Sequence, residues 1–126
     1  MMGKRYDYIW TESLSKHLPL EFEIDVVSLY RNCYDYSPYP EYNSIVAFVT
    51  KCFIERNRQL DQKRYIVQVK MKWGYLTIYY DGGKDPYLDE MILTATKMAD
   101  QLKSKLEDQY RKGGWRHRTI LPPSEN

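Results

Sequence analysis

Three stretches of this chain predict an α+β fold, a small antiparallel β-hairpin or sheet packed by amphipathic helices and followed by a long C-terminal helix. From Tyr65 to Asp81, apolar and polar side chains alternate on either side of Trp73-Gly74, the period of strands joined by a tight turn. Between Ser44 and Gln62, residues Ile45, Phe48, Val49, Cys52 and Phe53 recur at spacings of three and four, the stripe of a helix packed on one side. After Asp85-Pro86 a longer stripe of the same kind runs through Leu88, Ile92, Ala95, Ala99, Leu102 and Leu106.

The elements follow in order. Residues 1–20 are mixed, with Trp10 as the natural anchor. Glu21 to Asn32 carries two patterns. Phe22, Ile24 and Val26 alternate as in a strand, while Leu20, Ile24, Val27 and Arg31 fall at helical spacing. We read it as helix. Tyr30 to Tyr42 is crowded with rings and broken by Pro38 and Pro40, which forbid a regular helix. An ordered loop studded with tyrosines is expected there, its rings either covering the core or meeting a partner through Tyr34, Tyr36, Tyr39 and Tyr42.

The helix from Ser44 can be capped by Asn43 or Ser44, and its polar far end, Glu55 to Gln59, is expected to be solvated. In the hairpin, Tyr65, Val67, Val69 and Met71 share one face with Leu76, Ile78 and Tyr80. Gln68, Lys70 and Lys72 share the other with Tyr75, Thr77 and Tyr79. Gly82-Gly83 ends the second strand, Asp85 is placed as an N-cap, Pro86 takes the favoured first helical position, and Gly113-Gly114 stops the helix. At ~1.5 Å per residue Pro86 to Lys112 spans about 40 Å. A domain of this size has a radius of gyration near ~14 Å. The last turns, from Lys103, therefore project into solvent or pack on a second copy, and a homodimer is expected.

The chain has 126 residues, enough for one domain with a single core. Residues 115–126 read as a basic, proline-containing tail. The longest apolar run, Ile45 to Val49, is too short to cross a bilayer. Lys4-Arg5 leads into no signal-peptide core, and Met1-Met2-Gly3 departs from the myristoylation pattern. No membrane role and a cytoplasmic setting are expected. The two cysteines, Cys33 and Cys52, are too few for a disulfide framework or zinc site.

No catalytic set is recognisable. His17 and His117 lack partners at metal-ligand spacing, and there is no Gly-x-Ser-x-Gly, Walker loop or dinucleotide fingerprint. Gly82-Gly83-Lys84-Asp85 is too short for a phosphate loop, and Asp85 at a helix start would repel an anion. A non-enzymatic protein without cofactor or metal is expected.

Two surface features can carry binding. The first is the hairpin's outer face, Lys70, Lys72, Tyr75, Thr77 and Tyr79, where rings can stack on a base and ammonium groups can meet phosphate. Cross-strand pairing on a solvated face explains the same residues without a ligand. The second is Arg111-Lys112-Gly113-Gly114-Trp115-Arg116-His117-Arg118, in which Arg111, Trp115, Arg116 and Arg118 offer cations and an indole with no acid among them. Cations favoured by the helix C-terminus explain it equally. The net charge of +2 gives no global field toward nucleic acid.

The hairpin and the start of the last helix resemble a segment of small, uncharacterised bacteriophage accessory proteins, which carry a run like Lys-Glu-Lys-Phe-Gly-Gly-Leu-Arg-Phe-Tyr-Tyr. The matching residues are Lys70, Lys72, Trp73 in the aromatic place, Gly74, Leu76, Tyr79 and Tyr80, then Tyr87, Ile92 and Met98. Tyr75 replaces the second glycine and Thr77 the basic residue. Such proteins often continue into a cysteine-rich, zinc-ribbon-like end. This chain has no cysteine after Cys52, so a metal role is not carried over. The resemblance implies a phage counter-defence protein acting in the host cell by binding. The function expected first is sequestration of a nucleotide-like anion between the Tyr/Lys face and the basic tail of a dimer. The alternative is inhibition of a host enzyme through the tyrosine-rich loop. Binding of nucleic acid through the basic end is a third, less favoured by the charge.

Overall fold

The computed structural model describes residues 8–113, with side chains described as far as Gln109. The architecture is α+β: a three-stranded mixed sheet and helices, including a long last one. In chain order the elements are a short π-helical segment α1 (Ile9–Leu14), α2 (Glu23–Leu29), β1 (Asp35–Tyr36), α3 (Asn43–Gln59), β2 (Tyr65–Lys72), β3 (Tyr75–Asp81) and α4 (Pro86–Gly113).

The N-terminal region is held by burial. Ile9, Trp10 and Leu14 of α1 are all in the core. The two patterns in residues 20–29 resolve as helix. A 3-10 turn, Leu20–Phe22, runs into α2, and Phe22, Val26 and Leu29 turn inward at spacings of four and three. Ile24, which the strand and helix readings shared, and Leu20 of the helical pattern stay in solvent.

Helix α3 is buried on more of its circumference than a one-sided stripe. Val46, Ala47, Thr50 and Ile54 are enclosed together with Ile45, Val49, Cys52 and Phe53, because α1, α2 and α4 all pack on it. Three expectations about α3 need correction. The helix begins at Asn43 without a side-chain cap, since Asn43 Oδ1 accepts a hydrogen bond from Ser13 Oγ (2.8 Å) instead. It ends at Gln59. Its polar end is not simply solvated: Arg56 binds Asp85, Asn57 binds the backbone of Arg64, and Arg58 binds Asp25.

The sheet order is β1-β2-β3, with β1 parallel and β3 antiparallel to β2. Core pairs are Ile66 with Tyr80, Val69 with Ile78, and Met71 with Leu76. The alternation expected from Tyr65 fails at one point. A bulge between Ile66 and Gln68 inserts Val67 as an extra residue, which shifts the phase by one. Ile66 is therefore fully buried, and Tyr65 is only half-buried. The pairing after the bulge keeps the expected faces.

Strand β1 lies inside the segment read as a loop. Two residues suffice because Tyr34 N–H donates to Val67 O and Ser37 N–H to Val69 O, which continues the ladder beyond the strand. Proline punctuation hides so short a strand. Cys33 and Cys52 are buried and not joined in a disulfide, and burial raises the Cys52 thiol pKa. No described helix is long and apolar enough to cross a membrane.

Candidate functional site

Beyond the bulge, β2 and β3 place Gln68 opposite Tyr79, Lys70 opposite Thr77 and Lys72 opposite Tyr75. The helices cover the other side of the sheet, so this side stays accessible: Tyr75 is 50% and Tyr79 45% exposed. The predicted hairpin residues Lys70, Lys72, Tyr75 and Tyr79 therefore do share a face. Tyr34 joins them from the segment before β1. It is 63% exposed, and its hydroxyl donates to Gln68 Oε1 (3.1 Å). Gln68 Nε2 in turn donates to Asp35 Oδ2 (3.0 Å), and Ser37 Oγ to Asp35 Oδ1 (3.0 Å). These bonds fix the β1 rim of the face. At the far rim Lys103 of α4 brings Nζ within 5.2 Å of the Tyr75 ring centroid and 3.4 Å of Gly74 O.

The hairpin tip adds a residue that pattern reading left out of the binding set. Trp73 has φ 56° and Gly74 φ 82°, the two positive angles of a type I′ turn. Asn-Gly or Asp-Gly is the usual choice, because a bulky side chain in the left-handed region costs about 1–2 kcal/mol. Here the strained position holds a tryptophan that is 69% exposed. The signal was present in the sequence as Trp where a hairpin turn wants Asn.

The other predicted residues separate. Tyr36, Tyr39 and Tyr42 do not form an exposed tyrosine surface with Tyr34. Tyr42 is fully enclosed, with its phenol pushed up to about 12 by burial. Tyr39 is half-buried and stacked on it at 6.0 Å. Tyr36 packs edge-on against Tyr30 (5.6 Å) and shares a hydrogen bond with Ser13. These rings fill space where α1, α3 and the sheet meet. Burial also raises the pKa of Tyr36 and of Tyr30, whose hydroxyl shares a 2.7 Å hydrogen bond with Thr50. The side chain of Arg111, and Trp115, Arg116 and Arg118 with the whole basic tail, lie outside the described residues.

Helix α4 begins in a polar knot that answers the phosphate-loop question. Asp85 is 2% exposed. Its Oδ1 accepts from Tyr87 N–H (3.0 Å), and Arg56 donates to both carboxylate oxygens (2.9 and 3.3 Å). Arg56 foremost holds the Asp85 carboxyl below its ordinary range. Tyr80 accepts from Asp85 N–H (3.0 Å) and donates to Asp89 Oδ1 (2.7 Å). Arg64, also buried, donates from Nε to Gly83 O and from Nη2 to Lys84 O, each at 3.0 Å. The glycine loop thus turns carbonyls inward onto a guanidinium, which is the wrong polarity for an anion cradle. Gly82 is fixed there by necessity. Its φ is 108°, and a Cβ would lie 2.4 Å from Lys63 O. The knot is structural. Among the described residues no group of three His, Cys, Asp or Glu gathers to hold a metal.

Compared with known proteins, the chain matches no family model, no curated protein and no solved structure.

Proposed function

We propose that this protein acts without catalysis, by docking a partner protein on the open face of its sheet. The supporting observation is Trp73: a large indole held in solvent at a backbone angle that disfavours it. Strain at an exposed position is retained where the side chain is used. Tyr34, Tyr75 and Tyr79 extend the same surface, and rigid aromatic anchors of this kind dominate binding energy at protein interfaces. Lys70 and Lys72 supply polar contacts between them. In the phage setting that the hairpin resemblance implies, the partner is a host enzyme and the outcome is its inhibition, as in counter-defence.

Sequestration of a nucleotide-like anion draws on the same lysines and tyrosines. It needs an enclosure, and the described hairpin face is open, with Tyr75 and Tyr79 about half in solvent. The open face favours a large, flat partner.

The test is capture from host extract with wild-type and variant protein. Retention of one host protein should fall by at least about tenfold with Trp73→Asn or Tyr75→Ala, in line with hot-spot losses. It should be unchanged with Lys97→Ala on the exposed side of α4. Equal retention by all variants would refute the assignment. So would a rise in melting temperature with nucleotides in a protein that retains no partner.

A further inference from the structure

Strand β3 is the last in the sheet, and no described strand pairs with its far edge. Exposed edges are normally blunted by proline, by a bulge or by charge in mid-strand. From Tyr75 to Tyr80 this strand has none of these, and its single charge is Asp81 at the very end. Beside it a groove of about 240 Å³ opens toward α4, lined by Ile78, Tyr79, Tyr80, Asp89 and Ile92. The edge is thus a template with an apolar floor.

Charge identifies the occupant. At the Asp81 end of β3, Asp89 on the first turn of α4 is already paired with Lys84 (2.9 Å). The negative charge that end offers is therefore Asp81, which is in no ion pair among the described residues. The Tyr75 end carries Lys72 across the ladder and Lys103 against the ring. A strand whose ends have opposite sign complements an antiparallel copy of itself, which is the self-complementarity a two-fold interface requires.

We infer that β3 pairs edge to edge, antiparallel, with β3 of a second copy of this chain. Centred on Ile78, the pairing sets Asp81 opposite Tyr75 of the second copy, with Lys72 of that copy one strand further. Two strand spacings are about 10 Å, within reach of an extended lysine. Tyr75, Thr77, Tyr79 and Asp81 occupy alternate positions of β3 and share the outer face with Lys72, so Asp81 and the lysine meet on that side. The product is a continuous six-stranded sheet with both helical layers on one side. The dimer therefore uses the hairpin edge and not the last turns of α4.

Sedimentation velocity of the full chain over a concentration series tests this. A monomer–dimer equilibrium is expected. Asp81→Lys or Lys72→Glu alone should weaken the dimer about tenfold or more, because like charges are then juxtaposed. The two together should restore it, with circular dichroism confirming that each variant is folded. Hydrogen exchange should slow with concentration in residues 75–81. A monomer throughout would overturn the inference. So would a dimer indifferent to both reversals, or one whose protection appears in α4 alone.

Discussion

The two ends of β3 use polar side chains in opposite ways. At its Asp81 end, Tyr80, Asp85, Arg56 and Arg64 are drawn into a knot where most donors meet acceptors within the chain. At its Tyr75 end, and across the open face, aromatic rings stand half in solvent with only rim contacts such as Tyr34–Gln68 and Lys103–Tyr75. The first arrangement is costly to disturb and invisible to a partner. The second is cheap to disturb and available to one. Position on the sheet, not residue type, separates them: Tyr80 and Tyr79 are neighbours in sequence and differ in role.

Substitutions should break this contrast in graded fashion. Gly82→Ala forces a Cβ onto Lys63 O at a positive φ and should destabilise by about 3 kcal/mol in chemical denaturation. Asp85→Asn removes half of the Arg56 pair and weakens the cap, at about 2 kcal/mol. It also changes the pH profile. The folded Asp85 pKa is depressed, so its contribution is complete above the ordinary carboxylate range and is lost as pH falls through the lower folded value. Wild-type melting temperature should drop across that acidic window, and Asp85→Asn should flatten part of the drop. Thr50→Val leaves the buried Tyr30 hydroxyl without its partner and should cost about 1 kcal/mol. Trp73→Asn goes the other way: relieving the left-handed strain should stabilise the fold by about 0.5–1 kcal/mol while lowering partner capture. Tyr79→Ala should move stability least, within about 0.5 kcal/mol, and still weaken binding. A Tyr79→Ala variant that unfolded the protein would place that ring in the structural class and erase the contrast.

Much of this was legible in the residues. Asp85-Pro86 announces α4 because cap chemistry and fixed φ are local properties, and they act before any tertiary contact forms. Trp73-Gly74 announces the reversal for the same reason. The bulge at Val67 was not legible: period-two alternation carries phase but no marker where phase slips. Strand β1 escaped because its ladder partner lies on the far side of α3, and two residues carry no periodicity. The tyrosines of residues 34–42 were the hardest case. Tyrosine is common both in half-dry cores and at interfaces, so only position could tell Tyr34, in solvent, from Tyr42, enclosed.

The parallel pairing of β1 has a consequence for the order in which the molecule comes together. β2, β3 and the start of α4 are contiguous in sequence, so their contacts close small loops and can form early. Asp35 reaches Gln68 only after the whole of α3 has been threaded between them, a separation of 33 residues. Loop-closure entropy puts that step late, and a two-residue strand extended by one backbone bond at each end gives it little to hold on to. The β1 rim is therefore the last part of the sheet to arrive and the first to leave, and amide exchange should be fastest around Tyr34 to Ser37. Tyr34 is carried on that rim, so the aromatic surface is complete only while the slowest contact of the fold is closed.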